Sequence, residues 1–323
     1  MKFVTFESKG VCSPGVIAEA GQILDLKKAS TSRSGNSFSD MLDVIAAGAA
    51  GREAIRNWLR NPPDGCLIPS RDVRLKAPLP RPNMIRDFAN YELHVRQAIA
   101  ASLKVRARAT PDPEAALAKF HESGLHVIPK IWFEQPLYFK GNHRSVIGPD
   151  DDVIRPKFAK LMDYELELAV IVGGPAKDLT ADNASEAIFG YTIFNDFSAR
   201  DMQSRETQFR LGPAKGKDFD TGNALGPVIA TPDEIPDPTA LAMIARVNGE
   251  ERVRTTSGGM QHSIVDTLIH ISQSETLYPG DVIGLGTVGN GCGYESLTFL
   301  KDGDVVELEV EGIGILRNRL VHQ

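Results

Sequence analysis

Residues 163–173 read DYELELAVIVG, an apolar run entered through three acidic residues at alternate positions. Side chains along a strand alternate between faces. Asp163, Glu165 and Glu167 therefore share one face, and Tyr164, Leu166 and Leu168 the other. Same-face neighbours on a strand stand roughly 7 Å apart, so two of these carboxylates can converge on one cation. Hard oxygen ligands of this kind suit Mg²⁺, Mn²⁺ or Ca²⁺ rather than zinc. The competing reading is the solvated face of an ordinary antiparallel strand.

Further acidic and basic groups flank this stretch. Downstream, residues 194–201 read FNDFSARD after an apolar segment, which puts Asp196 at a strand end or turn. Asp196 is then either another ligand or part of a turn and helix cap. Upstream, residues 86–94 read RDFANYELH. Asp87 is a candidate ligand, and His94 a candidate general base, because imidazole titrates near neutrality. A histidine on an apolar helical face also packs readily into a core. Lys217 and Thr221, in GKDFDTG at 216–222, are placed to hold an anionic substrate. A phosphate-binding loop is excluded there, since Gly216-Lys217 is followed by Asp218 rather than Ser or Thr. The GxSxG elbow of serine hydrolases is also absent.

Strand patterns dominate from residue 131 onward, at 137–140, 160–172, 189–195, 225–230, 243–247, 281–285, 296–299 and 305–310, with one clear helix at 263–272. A proline-rich link, KAPLPRP at 76–82, precedes a short strand at 84–88 and a helix at 90–102. The alanine-rich run at 110–121 reads as a surface helix. Residues 1–76 combine short strands with helices at 38–47 and 52–59, which makes a small N-terminal α+β domain ahead of a mainly β domain over 77–323.

The net charge of -6 and a pI near 5.7 argue against nucleic acid as a partner. Cys12, Cys66 and Cys292 are distant from one another and form no CxxC pair, which fits a reducing cytoplasm. No run approaches the roughly 20 apolar residues that span a bilayer, so no membrane partner is expected.

Taken in order, several of these motifs resemble the fumarylacetoacetate hydrolase superfamily. They are DYELE at 163–167, NDFSARDMQ at 195–203, GKDFDT at 216–221, YPGDVI at 278–283 and EGIGILRN at 311–318. The leading module resembles the N-terminal domain of the longer, fumarylacetoacetase-like members. The resemblance implies a mainly β (α+β) fold, a mixed β-sandwich roll with a small N-terminal α+β domain. It implies metal ligation by Asp87, Glu165, Glu167 and Asp196, with Mg²⁺ first and Mn²⁺ or Ca²⁺ as alternatives. His94 matches the catalytic histidine, and Arg200, Gln203 and Lys217 the oxyanion-stabilising positions. Tyr91, Thr221 and Thr287 match positions near the substrate or the metal.

Two departures bear on the activity. Short acylpyruvase-like members carry a glutamate where this chain has Gln97, an amide that cannot act as a base. Glu295 is the substitute carboxylate that the fumarylacetoacetase pattern suggests. Ala89 stands where fumarylacetoacetase has a substrate-contacting tyrosine. The implied reaction is hydrolysis of a C–C bond in a 1,3-diketo acid, an acylpyruvate or fumarylacetoacetate-like compound, through a metal-bound enolate. The implied setting is aromatic catabolism in a cytoplasmic homodimer. The alternatives are a 2-oxo acid decarboxylase, isomerase or hydratase, which Gln97 favours because decarboxylation needs no activated water, and a non-catalytic, cation-stabilised binding protein. Residues 103–132 are expected to cover the mouth of the site and to set specificity.

Overall fold

The computed structural model describes residues 1–33, 37–209 and 211–322. Its centre is the strand Leu166–Val172, whose seven residues are all buried. A strand covered on both faces reads as a continuous apolar run rather than an alternating one, and LELAVIV is such a run with a single charge, Glu167. It pairs antiparallel with Ile188–Asp196 on one side and with Val282–Gly284 on the other. Beyond Val282–Gly284 lies Ile85–Phe88, paired parallel so that Asp87 stands opposite Gly284. Beyond Ile188–Asp196 lies Asn223–Ala230.

The N-terminal strands extend this sheet. Lys2–Ser8 pairs with Asn223–Ala230, Phe3 lying opposite Ile229. Val11–Ile17, Gln22–Asp25 and Leu67–Pro69 follow it outward, giving a 12-stranded sheet. Phe3, Val16, Leu24, Ile171, Phe189 and Phe194 share one apolar cluster, so residues 1–76 pack directly on the back of the central strands. A second sheet of five strands, built around Ala242–Val247, Val305–Val310 and Gly314–His322, closes over the other face. Between the two sheets lie Val170, Ile193, Val228, Met243, Leu308 and Leu316. The result is the strand-dominated fold expected from the sequence.

Two expectations are corrected, and one strand is added. The acidic stretch is not one continuous strand. Met162–Asp163 pairs with Ser198–Ala199, the chain is irregular at Tyr164–Glu165, and the long strand starts at Leu166. Residues 296–299 form no strand. A 3₁₀ turn occupies Tyr294–Ser296, and Leu297 follows at φ 57°. Its cause is the Asp163 carboxylate, which accepts the amides of Gly293 (2.8 Å) and Tyr294 (2.9 Å) and curls that segment round itself. The C-terminal strand Gly314–His322, unforeseen from the sequence, pairs antiparallel with Val305–Val310 over Gly314–Arg319 and parallel with Asp152–Arg155 over Arg319–His322.

Candidate active site

Four carboxylates and two cations are buried together at the end of the central strands. Asp87, Glu165, Glu167 and Asp196 are each at most 5% exposed, and Lys217 and Arg200 are each 4% exposed. A solvated strand face is thereby excluded. Oxygens of Asp87, Glu165 and Glu167 lie within 4.8 Å of one another. The positions follow from pairing. Glu167 faces Phe194 across one ladder, and Gly284 separates the strand of Glu167 from that of Asp87. A Cβ at Gly284 would fall 2.4 Å from Asp87 Oδ1 and 3.0 Å from Glu167 Oε2, so only glycine leaves this space open. Asp196 ends its strand, and the Asn195 side chain accepts the amide of Glu165 at 2.9 Å.

Lys217 donates to Glu165 Oε2 at 2.5 Å and also to Asp196 Oδ2. Arg200 donates to Glu165 Oε1 at 2.7 Å and to Asp163 Oδ2 at 2.8 Å. Burial alone would raise Glu165, but Lys217 and Arg200 reverse that and hold it well below the usual carboxylate range. Asp87 is pushed by burial up to about 6, against the pull of Lys217. Glu167 is raised well above its ordinary value by burial and by Asp87, and Asp196 by burial despite Lys217. Burial disfavours the charged form, and nearby carboxylates add to that cost.

This set fits a divalent cation. Asp87 Oδ1, Glu167 Oε2 and Asp196 Oδ1 are buried acceptors with no hydrogen-bond donor among the described residues. Unsatisfied buried carboxylate oxygens are costly and rare in folded proteins, and three at one place are what an oxygen-liganded ion would satisfy. Thr287 donates to the other oxygen of Glu167 at 3.0 Å, which fixes that carboxylate with Oε2 turned to the cluster.

Asp163 stands apart from this set. Its two oxygens are taken by Arg200 and by the amides of Tyr164, Gly293 and Tyr294. The break at Tyr164–Glu165 separates it from Glu167, so two rather than three of the alternating acids converge.

His94 lies on the helix Glu92–Arg108, and its Nδ1 is 2.9 Å from Glu295 Oε1. Glu295 is itself held by the amides of Asn290 (3.1 Å) and Cys292 (3.2 Å). Gln97 clamps the same loop, donating to Asn290 Oδ1 at 2.6 Å and accepting its amide at 3.2 Å. A cleft of about 420 Å³ joins His94 to Glu165, Arg200 and Gln203, with Ala89, Leu103, Arg106, Leu125 and Tyr294 among its other walls. Gln203 accepts from Arg200 at 3.0 Å. Arg200 also lies 5.1 Å from the ring centre of Tyr294. Leu103, Arg106 and Leu125 come from the 103–132 segment, and Trp132 anchors its end by donating to the Ala89 carbonyl at 2.5 Å.

Two candidates are turned elsewhere. Thr221 accepts the Ile154 amide at 2.8 Å and donates to the Asp220 carbonyl. The Tyr91 hydroxyl donates to the Ser257 carbonyl at 2.9 Å, tying the start of the helix to a distant loop. Arg106 and Tyr294 were not singled out from the sequence. An arginine on a polar helix and a tyrosine in a glycine-rich loop give no local signal.

Residues 83–321 match the family model for the fumarylacetoacetate (FAA) hydrolase C-terminal domain. The chain is 30% identical over 331 residues to oxaloacetate tautomerase YisK of Bacillus subtilis (strain 168), covering 99% of this chain and 100% of that protein. It is 38% identical over 191 residues to the human mitochondrial oxaloacetate tautomerase FAHD2A, 58% of this chain and 60% of that one. Among solved structures, a fumarylacetoacetate hydrolase from Exiguobacterium antarcticum superposes over 100% of both chains with a TM-score of 0.73 at 30% identity. A 5-carboxymethyl-2-hydroxymuconate delta-isomerase from Mycobacterium smegmatis gives 0.69 at 28%, over 100% of this chain and 99% of that one. These relatives include a hydrolase, an isomerase and tautomerases, enzymes that act on small molecules. The ordered motifs, the strand-built acidic cluster and the matched model agree, and the chain belongs to the fumarylacetoacetate hydrolase family.

Proposed function

We propose that this enzyme moves a proton on a 2-oxo acid, interconverting its keto and enol forms, with oxaloacetate as the substrate to test first. The observation that carries the reading is the cleft that joins His94, backed by Glu295 at 2.9 Å, to Glu165 of the carboxylate cluster. A base and an electrophilic centre must face one substrate for enolisation, and this cleft offers both. Asp87, Glu165, Glu167 and Asp196 would hold Mg²⁺, with Mn²⁺ or Ca²⁺ as alternatives. Such an ion, when bound, polarises the 2-oxo group and acidifies the adjacent C–H.

The chain's own groups then divide the work. Glu295 accepts from Nδ1–H of His94, which leaves Nε2 free to take the proton from C3. Arg200 and Gln203 line the cleft and offer donors toward the oxygen that gains charge, while Lys217 holds Glu165 and Asp196 in place. The C3–H bond breaks, and His94 then returns the proton, directly or by way of water, to the C2 oxygen, so that an O–H bond forms and the imidazole is reset with no redox change. Arg106 and Leu125 bound the cleft at its outer end. The full-length likeness to YisK supports oxaloacetate over other 2-oxo acids.

Hydrolysis of a C–C bond in an acylpyruvate is the second reading. It is favoured by the His94–Glu295 pair, which suits activation of water, and by the likeness to the Exiguobacterium hydrolase. The reading carries with it a cytoplasmic homodimer. Among the described residues no helix is long and apolar enough to cross a membrane.

The test follows deuterium entry at C3 of oxaloacetate in D₂O with Mg²⁺, over the buffer-catalysed background. Protein-dependent exchange that falls in His94→Ala supports the proposal. Exchange at the background rate, with acetylpyruvate cleaved to pyruvate and acetate by the same preparation, rejects it in favour of hydrolysis.

A further inference from the structure

Beside the carboxylate cluster lies a second group of donors of different chemistry. His94, Cys292 and Glu295 each offer one atom, and these lie within 4.8 Å of one another. They are an imidazole nitrogen, a thiol sulfur and a carboxylate oxygen. The first cluster is all oxygen and suits a hard ion, whereas nitrogen and sulfur donors select zinc. Ligands on one tetrahedral zinc stand roughly 3.5 Å apart, so side-chain movements of about 1 Å would close the set.

The group also has a route to solvent that is separate from the cleft. Cys292 and Glu295 line a cavity of about 620 Å³ bounded by Tyr164, Arg252, Asn290 and Lys301. None of its lining residues is shared with the 420 Å³ cleft, which His94 lines. The His94–Glu295 pair is thus the partition between two cavities, and Cys292 faces it from the second. The loop is anchored on both sides, because Glu295 accepts the amides of Asn290 and Cys292 and Gln97 clamps Asn290.

We propose that His94, Cys292 and Glu295 form a second cation site, selective for a thiophilic ion such as Zn²⁺, whose filling from the 620 Å³ cavity withdraws the proton-moving pair and stops turnover. On binding, His94 presents Nδ1 as its lone pair, with the proton on Nε2, and the Cys292 thiol proton passes to solvent. No electron is transferred. Three protein ligands leave the fourth position to water from the cavity. Inhibition rests on the role given above to His94; binding does not.

Co²⁺ is the probe, titrated into protein already saturated with Mg²⁺. The expected result is one equivalent bound, with a thiolate-to-cobalt charge-transfer band and the strong visible bands of four-coordinate cobalt, both bleached by Zn²⁺. The bands should vanish in Cys292→Ala and Cys292→Ser and persist in Cys12→Ser. The Mg²⁺-induced rise in melting temperature confirms that the variants are folded. In turnover, loss of outer-shell partners alone costs metal sites roughly 10- to 100-fold in affinity. Cys292→Ala should therefore raise the inhibitory Zn²⁺ concentration by about tenfold or more. Absence of the bands in wild type, or their survival in Cys292→Ala, overturns the site. Bands with turnover untouched by Zn²⁺ overturn the inhibitory role. If no substrate is turned over at all, the cobalt spectrum still decides the site, and the failure falls on the proposed reaction alone.

Discussion

Replacing Glu167 by Gln should separate the two states of the carboxylate cluster, with opposite signs. Without a cation, Glu167 and Asp87 are buried acids pushed upward by desolvation, and Asp87 raises Glu167 further. Asp87 goes from 3.8 to about 6, which at neutral pH is about 3 kcal/mol of folding free energy withheld by that group. Glutamine removes one charge and keeps the shape. Its carbonyl still accepts from Thr287, and its NH₂ can donate to Asp87 Oδ1, an acceptor otherwise without a partner. The metal-free variant should then melt at or above wild type. With Mg²⁺ the order reverses. An ion at 100 times its Kd adds about 2.7 kcal/mol. An unfolding entropy of roughly 2.1 cal/mol/K per residue over 323 residues converts this to a rise of about 4 °C in wild type. The variant, with one ligand gone, should gain less than about 1 °C. Differential scanning fluorimetry in EDTA and in Mg²⁺ measures both. A variant that keeps the full Mg²⁺ shift would remove Glu167 from the ligand set, and one that loses several degrees in EDTA would mean that its charge is not costly in the metal-free cluster.

Other consequences follow from the same geometry. Asp87 has a folded value above its unfolded one, so its contribution to metal-free stability is present below about pH 4 and lost as pH rises to about 6. The Mg²⁺-induced shift in melting temperature should accordingly be larger at pH 7 than at pH 5; equal shifts would contradict the assignment. His94→Ala and Glu295→Gln should lower turnover by about 10²- to 10⁴-fold, the usual worth of general acid–base catalysis, with Mg²⁺ affinity unchanged by calorimetry. Lys217→Met leaves Glu165 and Asp196 without their shared ammonium. Breaking a buried pair from one side costs roughly 3–5 kcal/mol, so urea unfolding in EDTA should show that loss, part of it recovered by Mg²⁺.

Much of this site is legible in the linear sequence because its chemistry is carried by alternation on one strand. Glu165 and Glu167 announce themselves as acids in an apolar run, and Asp196 as an acid at the end of the next strand. The sequence does not give the partners of a strand. Asp87 and Gly284 are nearly two hundred residues apart, and only the parallel pairing of Ile85–Phe88 with Val282–Gly284 brings Asp87 beside Glu167. The exclusion of Asp163 was equally hidden, since it depends on amides of the Gly293–Tyr294 turn that reach across from the far end of the chain. Gln97 looked like a lost catalytic acid. In the fold it holds Asn290, and so the loop that carries Glu295 to His94. Thr221, adjacent in sequence to a motif, is drawn off by the Ile154 amide. Motif order revealed the family; side-chain direction was set by contacts that no local pattern encodes.

The proposed chemistry depends on a cation held by Asp87, Glu165, Glu167 and Asp196. The most direct measurement is a titration of metal-stripped protein with Mn²⁺, followed by the electron paramagnetic resonance signal of the free ion. Loss of the free signal up to one Mn²⁺ per chain is expected in wild type, reversed by Mg²⁺, with no such loss in Glu165→Gln/Glu167→Gln. A free signal that grows from the first addition in wild type, or equal binding by the variant, would contradict it.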